Sequence, residues 1–135
     1  MTFVDTGAFL GRWLASDQHH SRAQAGWARL ENRREPLFTS NFVLDETFTL
    51  LGRRAGHCFA VERARNLYRS SVLRILRPEI DDEIEALRLF EKYSDQRASF
   101  TDCVSFALMS RSRLVKVFTF DALFVRAGFV PLSVS

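Results

Sequence analysis

The residues Val115-Lys116-Val117-Phe118-Thr119-Phe120-Asp121 contain the clearest strand pattern in the chain, a β-branched and aromatic run over 115–119 with an acid just beyond it. The beginning of the chain has the same order, because Phe3-Val4 predicts a short strand and Asp5 follows it directly. Open α/β sheets bind their ligands at the carboxyl ends of the strands. We therefore expect Asp5 and Asp121 to lie at one edge of one sheet.

Between these two strands, short β-rich runs alternate with longer helical segments, which is typical of an α/β fold with a mainly parallel sheet. The spacing of apolar residues indicates a helix from Thr6 to about Ala15. Asn41 is the expected N-cap of a helix that runs to Arg54, and Asp81 or Asp82 is expected to cap one that reaches Tyr93. The other predicted helices cover about 21–33, about 59–70, 99 or 101 to 112, and a short segment near Gly128; the other predicted strands cover 37–39, 72–76 and 130–132.

Composition indicates a globular protein. The chain has 135 residues, of which 47% are hydrophobic and 13 are Phe, enough for the core of one domain covering residues 1–135. Cys58 and Cys103 lie in apolar helical sequence without paired spacing, so we expect both to be reduced core residues. With neither a signal-like start nor a run of 18 apolar residues, we expect a soluble, cytoplasmic protein that does not engage a membrane.

The charged residues favour a polyanionic partner. The net charge of +3 comes from 19 basic and 16 acidic residues, and 17 of the basic residues are Arg. The planar guanidinium pairs with phosphate and stacks on bases better than an ammonium group does. Arginine is also simply a good residue for a helix surface. The candidates for RNA contact, chosen because they lie in sequence near the proposed site elements, are Arg12, Arg53, Arg54 and Arg97.

Two further acids are placed near the predicted core. Glu46 lies one turn after Phe42 and one turn before Leu50, so its carboxylate shares a mostly apolar helix face, where an unpaired charge is costly. Asp102 lies near a helix start, with Phe106 one turn later. Asp45 diverges from Glu46 by about 100° and is expected in solvent. Asp95 is an additional acidic candidate.

Each acid also has a purely structural interpretation. Asp5 and Asp121 are possible N-caps, and Asp102 is a possible acidic member of a capping box that begins at Ser99. Glu46 could extend its carboxylate to solvent. The functional interpretation therefore depends on the four acids as a set.

Four segments together resemble the acidic motifs of PIN domains, and in particular those of the VapC toxins of bacterial toxin-antitoxin pairs. They occur in the family's order and span nearly the whole chain: Phe3-Val4-Asp5-Thr6, Asn41-Phe42-Val43-Leu44-Asp45-Glu46-Thr47, Ser99-Phe100-Thr101-Asp102-Cys103 and Thr119-Phe120-Asp121. The resemblance implies a PIN-like three-layer fold with a central, mainly parallel sheet flanked by helices. It also implies an endoribonuclease that leaves 5′-phosphate and 3′-hydroxyl ends, a homodimer, and an antitoxin that covers the acidic groove.

Four carboxylates suit Mg²⁺ or Mn²⁺, which prefer oxygen ligands, whereas three His residues without useful spacing do not indicate zinc. We expect Asp5, Glu46 and Asp102 to form the central metal-binding set and Asp121 to complete a second site or orient water. Close packing of the four should raise at least one pKa unless cations neutralise them, so metal should stabilise the fold. Thr6 is a candidate for orienting Asp5, and Ser99 and Thr119 are candidates for donating hydrogen bonds to carboxylates or phosphate.

Other functions are compatible with parts of the pattern. A phosphatase of the haloacid-dehalogenase type needs a second Asp where Gly7 stands, and a response-regulator receiver needs paired acids near the first strand. Both are therefore disfavoured. A housekeeping RNA-processing nuclease and a catalytically silent PIN-like module that binds RNA or protein are open alternatives to a toxin.

Overall fold

The computed structural model describes residues 1–133, in which five strands form one sheet. The strand order is β3-β2-β1-β4-β5, and every neighbouring pair is parallel. The prediction of a mainly parallel sheet is therefore confirmed. The strands are β1 Thr2–Val4, β2 Leu37–Ser40, β3 Leu73–Leu76, β4 Lys116–Phe118 and β5 Val130–Pro131.

Seven helices within residues 1–133 flank this sheet, as expected for a PIN-like α/β fold, and a 3₁₀ turn at Ser94–Gln96 follows the fifth. Successive parallel strands must be joined by crossovers, and the helices form these connections. The helices are α1 Thr6–Trp13, α2 His20–Asn32, α3 Asn41–Ala55, α4 His57–Arg69, α5 Ile80–Lys92, α6 Phe100–Arg111 and α7 Leu123–Arg126.

Two predicted helix caps were wrong. Ser40, and not Asn41, caps α3, since the Ser40 Oγ accepts a hydrogen bond from the Val43 N–H at 3.1 Å. Helix α5 begins at Ile80, with its N-cap at Glu79, and Asp82 contributes by accepting from the Glu79 N–H at 2.9 Å. In both cases several polar residues stand close to the helix start, and the cap is the one whose backbone is still extended.

One cysteine prediction was also wrong. Cys103 is buried in α6, as expected, and burial raises the pKa of its thiol to about 11. Cys58 is also free, as expected, but it is exposed and not part of the core. Helix α4 packs mainly on α3, and Ala60 is its one buried residue. The side of α4 that carries Cys58 is therefore not covered by another element of residues 1–133.

The core is largely aromatic and holds the sheet against the helices. Phe106 of α6 packs against Tyr93, Phe124 and Phe129 with ring centroids 4.9 to 5.9 Å apart. Strand β1 is buried along its whole length, so the residue after it emerges at the carboxyl edge of the sheet. No helix among residues 1–133 has the length and apolar character needed to cross a bilayer.

Candidate active site

Asp5 and Asp121 are held near each other by the pairing of β1 with β4. Val4 is in register with Phe118, and the Asp5 N–H donates to the Phe118 carbonyl at 3.0 Å. The Thr119 hydroxyl donates to Asp5 Oδ2 at 2.9 Å and accepts from the Asp121 N–H at 3.0 Å. One threonine thus connects the ends of two neighbouring strands, and its hydrogen bond to a carboxylate is the one expected from the sequence.

The interpretation of Asp121 as a helix N-cap is partly correct. Its Oδ1 accepts from the Leu123 N–H at 2.9 Å, which supports the start of α7. Asp5 occupies the N-cap position of α1, but its side chain makes no capping hydrogen bond. The Asp5 carboxylate is therefore held mainly by the Thr119 hydroxyl and does not act as the side-chain cap of α1.

Asp102 belongs to the capping box that the sequence offered as its structural interpretation. The Ser99 Oγ accepts from the Asp102 N–H at 3.0 Å, and the Ser99 N–H donates to Asp102 Oδ2 at 3.3 Å. The Ser99 hydroxyl accepts in this capping box, and its side-chain hydrogen bond to Asp102 also lowers the pKa of that carboxyl. Because the box uses only one carboxylate oxygen, it orients Asp102 and leaves Oδ1 for another ligand.

Glu46 is half-buried on α3, where Val43 and Thr47 are fully buried, and Asp45 is exposed as expected. The Thr6 hydroxyl donates its hydrogen bond to the Val43 carbonyl, at 3.5 Å. The Thr6 backbone N–H instead helps to stabilise the ionised Asp5 carboxylate.

All four acids line one pocket, which we call the acidic pocket. Within residues 1–133, no three His, Cys, Asp or Glu side chains are close enough to form a closed metal cage. Mg²⁺ usually binds through one or two carboxylates, with water and substrate phosphate completing its coordination, so this donor set fits Mg²⁺ and not a structural zinc site. The lining residues are Asp5, Thr6, Gly7, Leu10, His19, Glu46, Ser99, Asp102, Phe120, Asp121 and Ala122.

The acidic pocket is electrostatically strained, as its composition predicted. Burial, and then the charge of Asp102, raise the pKa of Asp5 to about 7, although hydrogen bonds from Thr119 and Thr6 oppose the shift. Burial and the charge of Asp121 raise the pKa of Asp102 to about 6. Glu46 contributes to both shifts. A bound cation would relieve this repulsion.

The four arginines chosen from sequence do not line the acidic pocket. Arg12 lies over the Trp27 ring at 4.5 Å and pairs with Glu31 at 2.9 Å. Arg54 lies 3.7 Å from Asp17, and Arg53 and Arg97 are exposed. Asp95 is exposed in the 3₁₀ turn and is not part of the pocket either. Contact between these arginines and RNA stays a prediction.

His19, Phe120 and Arg22 were not predicted from the sequence as part of the site. The rings of His19 and Phe120 are stacked, with centroids 4.4 Å apart and planes 8° from parallel, and Arg22 lies 5.2 Å from the Phe120 centroid. Phe120 could have been found, since it stands between Thr119 and Asp121. His19 could not, because its position depends on how α2 packs against α1.

The sequence profile described as the PIN domain matches residues 2–130. The chain is 37% identical over 132 residues to the 23S rRNA-specific endonuclease VapC20 of Mycobacterium tuberculosis, covering 98% of each chain. It is 30% identical over 123 residues to the VapC ribonuclease of Archaeoglobus fulgidus, covering 90% of this chain and 77% of that protein. The crystal structure of Mycobacterium tuberculosis VapC20, described as a sarcin-ricin loop cleaving toxin, aligns with a TM-score of 0.85 at 36% identity, over 96% of this chain and 97% of that one.

Proposed function

This chain belongs to the PIN-domain family and is a VapC-type ribonuclease, and we propose that its acidic pocket holds Mg²⁺ or Mn²⁺ and hydrolyses RNA phosphodiester bonds there. The observation that carries the proposal is the convergence of four carboxylates, from four separate segments, on one pocket. Such a concentration of negative charge is unfavourable for folding alone, as the raised pKa values of Asp5 and Asp102 indicate.

In the proposed site Asp5, Glu46 and Asp102 form the metal-binding set, of which one or two would bind the ion directly while water completes its coordination, and Asp121 completes a second site or orients water. A bound divalent ion supplies activation of water and stabilisation of charge on the phosphate. The chain's own part is to keep the carboxylates in place. Thr119 fixes one oxygen of Asp5, and the Ser99 N–H fixes one oxygen of Asp102, which leaves the remaining oxygens as ligands.

For the substrate we propose the 23S ribosomal RNA, since the relative that matches 98% of this chain is named for that RNA. The toxin interpretation further implies an antitoxin whose segment covers the acidic pocket. A housekeeping role in RNA processing is the alternative within the family, and no feature of the pocket favours it over the toxin.

We also propose a homodimer, formed through α5. Four apolar side chains on the outer surface of this helix are largely exposed: Ile80 by 70%, Ile84 by 57%, Leu87 by 53% and Phe90 by 44%. Their spacing places them along one side of the helix, while Asp82 and Ala86 face the interior. An exposed apolar patch of this kind commonly marks a surface that packs on a partner.

The test compares cleavage of ribosomes and of purified tRNA by the wild type, Asp5→Asn and Asp102→Asn, with Mg²⁺, Mn²⁺ or EDTA. We expect cleavage of 23S rRNA that needs the metal and falls by at least about 100-fold in both variants, since even the hydrogen-bond partners of metal ligands commonly contribute about 10- to 100-fold. Asp95→Asn is the matched control, because Asp95 is exposed and outside the pocket. Cleavage that survives EDTA, or that Asp102→Asn retains in full, would contradict the metal assignment.

A further inference from the structure

A stacked pair of aromatic rings lies against the acidic pocket, and we propose that His19 and Phe120 form a platform that binds one nucleobase beside the scissile phosphate. The proposal rests on the proposed ribonuclease function. Both residues line the pocket together with the four acids, and both are only partly buried. The near-parallel rings, 4.4 Å apart, present a flat π surface of the kind on which unpaired RNA bases stack.

The fold builds a support for the Phe120 ring. Gly7 and Gly11 stand one turn apart on α1, and side-chain carbons added to them would lie 3.8 and 3.7 Å from this ring. Helix α1 therefore approaches the ring with bare backbone. The Phe118 ring meets Phe120 from the core side, edge to face, at 5.9 Å. Phe120 thus belongs to the same segment, directly after β4, that carries Thr119 and Asp121.

His19 is held in place by hydrogen bonds of its backbone. The His19 backbone N–H donates to Asp17 Oδ1 at 2.8 Å, and the His19 carbonyl accepts from the Ala23 N–H at 2.8 Å. The second bond joins His19 to the first turn of α2. The next residue, His20, is fixed by a 2.7 Å hydrogen bond between its Nδ1 and the Gly11 carbonyl. The backbone of His19 is thus fixed and its ring is oriented by stacking on Phe120, so little conformational entropy is lost when a base stacks on it.

The surroundings favour a base over other occupants. The Phe106 ring, which packs within the core, is 2% exposed, whereas His19 and Phe120 are only partly buried and line the acidic pocket. Stacking does not depend on charge, so it can hold RNA beside four carboxylates that repel its phosphates. Arg22, an exposed cation 5.2 Å from the Phe120 ring, is placed to meet a neighbouring phosphate.

The experiment uses an RNA oligonucleotide that spans the cleavage site mapped on ribosomal RNA, with 2-aminopurine placed in turn at the nucleotides on either side of that site. Stacking quenches 2-aminopurine fluorescence. We expect the wild type to quench one position, and His19→Leu to lose the quenching and raise KM by about tenfold or more with little change in kcat. His19→Phe should restore both properties. His57→Leu is the matched control, since His57 lies on α4 and does not line the acidic pocket.

A second measurement changes the substrate. Removing the base at the quenched position should raise KM for the wild type to the level of His19→Leu, and should not raise it further in His19→Leu. If the wild type cleaves RNA but neither His19→Leu nor the abasic substrate changes KM, the platform is wrong and the nuclease function stands. If the wild type neither cleaves nor binds RNA, both proposals are wrong.

Discussion

Asp5 is the residue at which position and charge conflict most. It is 6% exposed, follows a fully buried strand, and has Asp102 and Glu46 as acidic neighbours. Only the Thr119 hydroxyl and the Thr6 N–H favour its ionised form. A carboxylate kept in such surroundings suggests a role that needs its charge, because a neutral polar residue of the same shape would be less costly there.

The raised pKa of Asp5 predicts how stability depends on pH in the absence of metal. The pKa is about 7 in the folded protein against 3.8 for an ordinary Asp, so the folded state holds an extra proton between these values. Stability from this group is then present at low pH, falls as the pH rises from about 4 to about 7, and stays low above that. Asp5→Asn should remove this loss.

Urea unfolding in EDTA at pH 5 and pH 8 measures this effect. The free energy of unfolding of Asp5→Asn should exceed that of the wild type by a margin that grows with pH. We expect this margin to be larger at pH 8 than at pH 5 by roughly 2 to 3 kcal/mol, at about 1.4 kcal/mol per pKa unit. Adding Mg²⁺ at pH 8 should stabilise the wild type and not the variant. Equal responses of wild type and Asp5→Asn to pH would show that Asp5 is not electrostatically strained, and Asp95→Asn serves as the exposed control.

Among the elements, α1 has the tightest packing requirement. It contacts α2 and α3 and supports the Phe120 ring through Gly7 and Gly11. Both glycines are helical, and neither needs a left-handed backbone. A methyl group has room at Gly7 but not at Gly11, so the same substitution should have opposite effects on stability at the two positions.

Gly11→Ala should destabilise the protein, because its new Cβ would lie 2.8 Å from the Ala23 Cβ and neither group can rotate away. We expect a loss of about 1 to 3 kcal/mol as α2 is displaced. Gly7→Ala is the matched control, since its nearest contact would be an ordinary 3.8 Å and alanine favours a helix by up to about 1 kcal/mol. Thermal and urea unfolding of the two variants test this, and a Gly11→Ala protein as stable as Gly7→Ala would refute the close α1–α2 contact.

For the whole molecule, the exposed apolar side of α5 predicts the oligomeric state. Light scattering after gel filtration should give twice the 15.6 kDa mass of one chain. Leu87→Glu should yield the monomer, because a charge at the centre of that surface would be buried without a partner. Val61→Glu, a change at an exposed aliphatic residue of α4, should leave the dimer intact. A monomeric wild type would contradict the dimer and leave the nuclease assignment unaffected.

The sequence by itself determined the parallel sheet and the acids at its edge. Strand patterns are local, and parallel strands place their carboxyl ends together, so Asp5 and Asp121 could be brought together without coordinates. Glu46 and Asp102 could be added because a carboxylate on an apolar helix face is conspicuous. Thr119 could be named from the sequence as a possible donor to a carboxylate or to phosphate, but only the structure shows that its partner is Asp5.

Only the tertiary structure decided which helix faces were covered. Cys58 is exposed because α4 is covered on one side only, and Arg12 lies over Trp27, away from the acidic pocket. His19 meets Phe120 because α2 crosses α1 at the small residues Gly11 and Ala23. These outcomes depend on contacts between residues distant in sequence, and the periodicity of a single helix shows that a face is apolar without showing what packs against it.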